Sequence, residues 1–119
     1  MNKEKKQLKY RAYRFSIRLI QFLSKLQKKP FFRVVSEQIL RSGTSIGANI
    51  VEAQAASSKR DFVRFYEIAL KSVNETKYWL GLMRDGFEIK DEEISELLNE
   101  VQELSRILGA SLLTLKGKR

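Results

Sequence analysis

The sequence predicts an all-α fold, an antiparallel up-down-up-down four-helix bundle, and three observations carry that prediction. Apolar residues recur every three or four positions through four separate stretches, which is the period of one helix face. Between the stretches stand residues that stop or start helices, namely Pro30, Ser58, Gly86 and Asp91. No stretch alternates apolar and polar residues as a strand would, and there is no internal repeat or low-complexity linker. Short connections between consecutive helices make sequence neighbours antiparallel in space.

The first helix is expected over residues 7–28, where Pro30 ends it through a missing N–H and a steric clash. Residues 1–6 before it read as a basic tail. Leu8, Ala12, Phe15, Leu19, Phe22, Leu23 and Leu26 form the stripe that faces a core. Tyr10, Tyr13, Ile17 and Ile20 form a second apolar stripe nearly opposite, and one bundle cannot cover both.

The second helix is expected from residue 32 to 55 or 56. Val35, Ile39, Ser42, Ile46, Asn49, Ile50 and Ala53 share its inner face, with Gly43 and Gly47 one turn apart on the flank. Small residues at that spacing let a neighbouring backbone approach. Ser58 then caps a third helix, with Asp61 three residues on. Its core face is Phe62, Phe65, Tyr66, Ala69, Val73, Thr76, Leu80 and Met83, flanked by Ile68, Trp79 and Leu82, and Gly86 is its expected stop. Asp91 caps a fourth helix whose inner face runs Ile94, Leu97, Leu98, Val101, Leu104, Ser105, Leu108, Leu112 and Leu115. Gly109 within it reads as either a close contact or a kink.

A chain of 119 residues suits one domain with one core. Cysteine is absent, no secretory signal precedes Arg14, and no apolar run approaches the roughly 20 residues that span a bilayer, so a cytoplasmic protein that does not enter membranes is expected. The net charge of +9 is uneven. Residues 1–30 hold ten Lys/Arg and one Glu, whereas residues 31–119 hold thirteen of each sign. Charge concentrated in this way points to a polyanion partner.

Two motifs resemble a known family. Arg41-Ser42-Gly43-Thr44-Ser45-Ile46-Gly47-Ala48-Asn49-Ile50-Val51-Glu52-Ala53 resembles the signature R-x-x-x-S-I-x-x-N-I-x-E-G of the bacterial 23S rRNA intervening-sequence proteins. Their superfamily includes Avd, the accessory protein of diversity-generating retroelements. Residues 61–75, with Phe62, Phe65, Ile68, Ala69, Ser72 and Glu75, look like the second signature, F-x-x-F-x-x-I-A-x-G-S-x-x-E. Ala53 and Lys71 stand where the family has Gly. The resemblance implies a four-helix bundle that assembles into homopentamers. It also implies work on nucleic acid or, as in Avd, beside a reverse transcriptase.

Histidine is absent, which removes the Glu-x-x-His pairs of carboxylate-bridged di-iron bundles. A general base would have to be a carboxylate or a lysine. Glu92, Glu93, Glu96, Glu100 and Glu103 read as a solvated face of the fourth helix. Glu52 and Glu75 read as partners for Arg41 or Arg64, and Asn49 as a hydrogen-bonding group across helices. No catalytic residue, cofactor or metal is therefore expected.

The cations remain. Lys5, Lys6, Lys9, Arg11, Arg14, Arg18 and Lys25 form the candidate nucleic-acid surface, with Tyr10 and Tyr13 interleaved as rings on which bases can stack. The alternative is a solvated helix. Tyr10, Tyr13, Ile17, Ile20, Ile68, Trp79 and Leu82 form the candidate contact with further copies of the chain. Two functions fit: an oligomeric, non-enzymatic nucleic-acid binder, or a scaffold that recruits a protein such as a reverse transcriptase.

Overall fold

The computed structural model describes residues 2–26 and 30–117, with side chains from Gln7 onward. Among the described residues it contains four helices and no strand: α1 Asn2–Lys25, α2 Phe32–Gln54, α3 Lys59–Gly86 and α4 Glu92–Leu115. α1 begins five residues earlier than the expected start at residue 7. From residue 2 the expected tail is the start of the helix, because Lys and Glu favour a helix with or without a core to face. At its other end α1 stops at Lys25, short of the expected residue 28.

The starts of α3 and α4 follow from local chemistry. Ser58 is extended and its Oγ accepts the Asp61 N–H at 3.1 Å, while the Asp91 carboxylate accepts the Glu93 N–H at 2.9 Å. Gly86 is not the left-handed stop expected of it. It is the last residue of α3, and Glu88, at φ 52°, makes the left-handed turn instead. The Ile89 N–H then reaches back to the Arg84 carbonyl at 2.9 Å, and this bond closes the turn.

Each helix packs against its two neighbours, α1 on α2 and α4, α3 on α2 and α4. Diagonal pairs do not approach within 8 Å among the described residues. Cross-helix contacts run in opposite senses along every pair (Ser42 with Thr76 and Ser45 with Ser72, for example), so all neighbours are antiparallel. The result is a rod of 45 × 23 × 21 Å.

The core is the one the periodicity predicts: Leu8, Ala12, Phe15, Leu19 and Phe22 of α1 meet Ile39, Ile46 and Ile50 of α2, Tyr66, Ala69, Val73, Leu80 and Met83 of α3, and Leu97, Val101, Leu104 and Leu108 of α4. Burying each large side chain contributes about 1.5–3 kcal/mol. Gly43 and Gly47 are the seat on which α1 rests. A Cβ on Gly43 would fall 2.1 Å from Leu19 Cδ1, and one on Gly47 would fall 3.4 Å from Ala12 Cβ. Gly109 has no such role. Nothing lies within 4 Å of its missing Cβ, and α4 runs through it, so it is neither close contact nor kink.

Candidate nucleic-acid interface

The basic side of α1 does not face open solvent as a whole. Arg11, Arg18 and Lys25 recur at seven-residue spacing, which places them on one flank, and that flank borders α4. There α4 presents Glu100, Glu96 and Glu93. Arg11 Nε and Nη2 donate to both oxygens of Glu100, at 2.9 and 2.8 Å. Arg18 Nη2 donates to Glu96 at 3.3 Å, and Lys25 Nζ to Glu93 at 2.6 Å. The hydrogen bond to Glu100 holds the Arg11 pKa above its ordinary value, and the one to Glu93 does the same for Lys25. Three of the seven predicted phosphate ligands are thus struts of the bundle. Three of the five carboxylates read as a solvated face, Glu93, Glu96 and Glu100, are their partners.

Lys9 and Arg14 remain. Both are exposed and form no ion pair among the described residues. Lys5 and Lys6 lie outside the residues whose side chains are described.

Tyr10, Tyr13, Ile17 and Ile20 are 64, 64, 37 and 50 % exposed, an apolar band along the outside of α1. Its edge continues onto α2. Lys9, Tyr10, Tyr13, Ser16, Thr44, Gly47, Ala48 and Val51 line a groove of about 650 Å³ between the two helices. A second groove of about 460 Å³ continues toward the other end, past Ile20 and Leu40. Leu40, Thr44, Ala48 and Val51 recur at helical spacing, and that stripe was the available signal for this wall. The other candidate contact residues sit elsewhere. Ile68 and Trp79 are half-buried on α3, Leu82 is exposed beside them, and the diagonal between α1 and α3 separates the two groups. Trp79 is not a free stacking platform: its Nε1 donates to Glu75 Oε2 at 2.9 Å, and its ring meets Tyr78 edge-on at 5.3 Å.

The two signature motifs meet between α2 and α3. Thr76 Oγ1 lies 2.9 Å from Ser42 Oγ and 2.7 Å from the Ser72 carbonyl, both partners buried. One turn away Ser72 Oγ lies 3.1 Å from Ser45 Oγ, to which Asn49 Nδ2 donates at 3.0 Å. Asn49 therefore bonds within its own helix, also to the Ser45 carbonyl at 2.8 Å, and reaches α3 only through Ser45. Arg41 pairs with Glu75, whose carboxyl is held below its ordinary pKa first by the Trp79 N–H and then by Arg41. Arg64 instead pairs with Asp61 at 3.7 Å and lies over the Phe65 ring, while Glu52 forms no ion pair among the described residues. The Ser42–Thr76, Ser45–Ser72 and Arg41–Glu75 contacts join α2 to α3. Among the described residues no cluster of three or more His, Cys, Asp or Glu side chains can hold a metal ion. Nor is any described helix long and apolar enough to cross a membrane.

The signature residues thus form two groups across the α2–α3 contact, Arg41 with Glu75 and Ser45 with Asn49 and Ser72. The family model for the 23S rRNA-intervening sequence protein matches residues 4–110. The chain belongs to the 23S rRNA-intervening sequence protein family. A solved structure shares the fold, that of a protein of unknown function from the S23 ribosomal protein family of Bacteroides thetaiotaomicron. It is 38% identical over 91% of this chain and 96% of that one, with a TM-score of 0.83. No curated protein matches the sequence. Within the intervening-sequence family fold, the signature residues therefore meet across the α2–α3 contact, and the apolar band of α1 is exposed on the outside.

Proposed function

We propose that this member of the family is a non-enzymatic, self-associating helical bundle that binds nucleic acid, RNA foremost, through its phosphates. The observation that carries the reading is the set of cations left over once the bundle has used its own. Lys9, Arg14, Lys59, Arg60, Lys71 and Lys90 are exposed and form no ion pair among the described residues. Unpaired cations release condensed counterions from a polyanion on contact, and that release drives binding. The family's description, which places it with intervening sequences of 23S rRNA, favours RNA as the polyanion.

Self-association rests on the apolar band of α1 and the groove beside it. A ring of copies repeats a weak phosphate site and raises the overall affinity without any new contact. Ring closure requires two different patches that fit one another, and the α1–α2 band and the Ile68, Trp79, Leu82 face of α3 are two such patches. The same groove favours a second reading, a scaffold for a protein such as a reverse transcriptase, because an open apolar groove accepts a partner helix.

The deciding measurement is a salt titration of binding to single- and double-stranded RNA, with the solution mass determined alongside. A multimer whose affinity falls steeply as salt rises fits the proposal. A monomer with no affinity at low salt, or an affinity indifferent to salt, refutes it.

A further inference from the structure

The topology gathers at one end of the rod cations that are far apart in the sequence. The start of α1, the α2–α3 turn with the start of α3, and the end of α4 lie together there. Lys116 of α4 reaches Glu67 of α3 at this level, and Gly47 of α2 rests on Ala12 of α1 just inward of it. Among the described side chains, residues 7–9, 51–67 and 111–117 carry five Lys/Arg and three Asp/Glu, whereas residues 19–26, 30–43 and 75–97 at the opposite end carry six Lys/Arg and eight Asp/Glu. The excess positive charge is therefore polar along the long axis, and α1 contributes only part of it.

At this end Lys59, Arg60 and Arg64 line one shallow depression of about 480 Å³ with Val63 and Glu67. Glu67, the acid on its rim, is already taken. Lys116 donates to it and holds its carboxyl below the ordinary pKa, so it stays ionised and paired. Asp61 is matched by Arg64 at 3.7 Å. Glu52 is the one acid of this end without an ion pair among the described side chains. Lys59 and Arg60 are exposed and unpaired among the described residues, and Lys71 continues the same outer face of α3 about three turns on.

We infer that the phosphate-binding surface of this protein is the basic end of the bundle, centred on Lys59, Arg60 and Arg64, and that it contacts the backbone of single-stranded RNA. The inference rests on the nucleic-acid reading above and moves its centre from α1 to α3. Phosphate contacts carry no sequence information, so the surface is indifferent to base identity.

The test measures binding of a labelled uridine 20-mer at several salt concentrations. Three proteins are compared: wild type, Lys59→Gln/Arg60→Gln/Arg64→Gln, and Lys9→Gln/Arg14→Gln. Circular dichroism and solution mass confirm that each is folded and assembled alike. The α3 triple variant is expected to bind at least about tenfold more weakly at low salt. Its slope of log K against log salt is expected to be shallower by at least about 1.4, since each of the two unpaired cations, Lys59 and Arg60, contributes roughly 0.7 on a single strand while Arg64 is shared with Asp61. The charge-conserving set Lys59→Arg/Arg60→Lys/Arg64→Lys is expected to bind like wild type, which separates charge from shape. If wild type binds and the α3 triple variant binds equally well, the inference is overturned and the nucleic-acid reading survives. If wild type binds no RNA at any salt, both fall. Binding to phosphatidylserine vesicles without binding to RNA overturns both in favour of an anionic lipid surface.

Discussion

Replacing Arg11 by Gln separates the two roles open to the cations of α1. In the structure Arg11 is a strut: both its hydrogen bonds reach Glu100 in a fork, and the two side chains are 33 and 19 % exposed. Exposed ion pairs contribute about 0.2–1 kcal/mol, and hydrogen bonds to charged groups about 1.5–3. A half-buried fork falls between these, so Arg11→Gln is expected to cost about 1–1.5 kcal/mol. For a domain of this size that lowers Tm by roughly 4–6 °C. The assay is thermal or urea denaturation of Arg11→Gln, Glu100→Gln and the double variant, and the coupling between the two sites should be about 1 kcal/mol. RNA affinity of Arg11→Gln at low salt should stay within about twofold of wild type, because a cation already paired releases few counterions. An unchanged Tm together with lost RNA binding would show that Arg11 is a phosphate ligand and that its bridge to α4 is incidental.

The remaining expectations concern packing, polar satisfaction and pH. Gly43→Ala places a methyl group against fully buried Leu19 and should destabilise by about 1–3 kcal/mol in urea denaturation, whereas Gly109→Ala meets nothing and should stabilise by up to about 1 kcal/mol. Equal effects at the two glycines would show that α1 does not rest on Gly43. Thr76→Val keeps the shape and removes a buried hydroxyl between Ser42 and the Ser72 carbonyl, so a loss of about 1–3 kcal/mol is expected, read from the denaturation midpoint. Glu67, Glu75, Asp85 and Glu103 all have carboxyls held below their ordinary values by hydrogen bonds, from Lys116, Trp79 with Arg41, Arg84 and Arg106 respectively. A depressed folded pKa adds stability above the unfolded value and loses it as pH falls through the folded one. Tm should therefore hold steady at neutral pH and decline below the unfolded values of 4.5 for the Glu groups and 3.8 for Asp85. A decline already complete at pH 6 would point to other groups.

The four helices and the core were legible because burial imposes a period, and the apolar residues at Leu8, Ala12, Phe15, Leu19 and Phe22 repeat it without interruption. The start of α1 was not, since residues 2–6 contain no apolar residue and leave no periodic trace. The stop of α3 was misplaced for a related reason: glycine suits a left-handed residue, but Glu88 took that conformation two positions later. The basic surface was only half legible. Counting charges along the chain placed the excess in residues 1–30. Only the arrangement of helices shows that Glu93, Glu96 and Glu100, distant in sequence, cancel three of those cations, and that Lys59 and Arg60 join the start of α1. The Ser45–Ser72 link was likewise invisible, because a hydroxyl looks alike at the surface and at a helix contact.

The four seams of the rod are unequal, and this sets the order in which it opens. The α2–α3 pair is the most intimate and is pinned by side-chain oxygens at Ser42, Ser45, Ser72 and Thr76, so neither helix slides without orphaning a hydroxyl. The α1–α4 pair has the least contact and is bridged by Arg11, Arg18 and Lys25, which added electrolyte weakens. Amide protons of the central hairpin should thus exchange slowest. The first helix peels away first, and does so sooner in brine, leaving a three-helix remnant with its greasy seat at Gly43 and Gly47 uncovered.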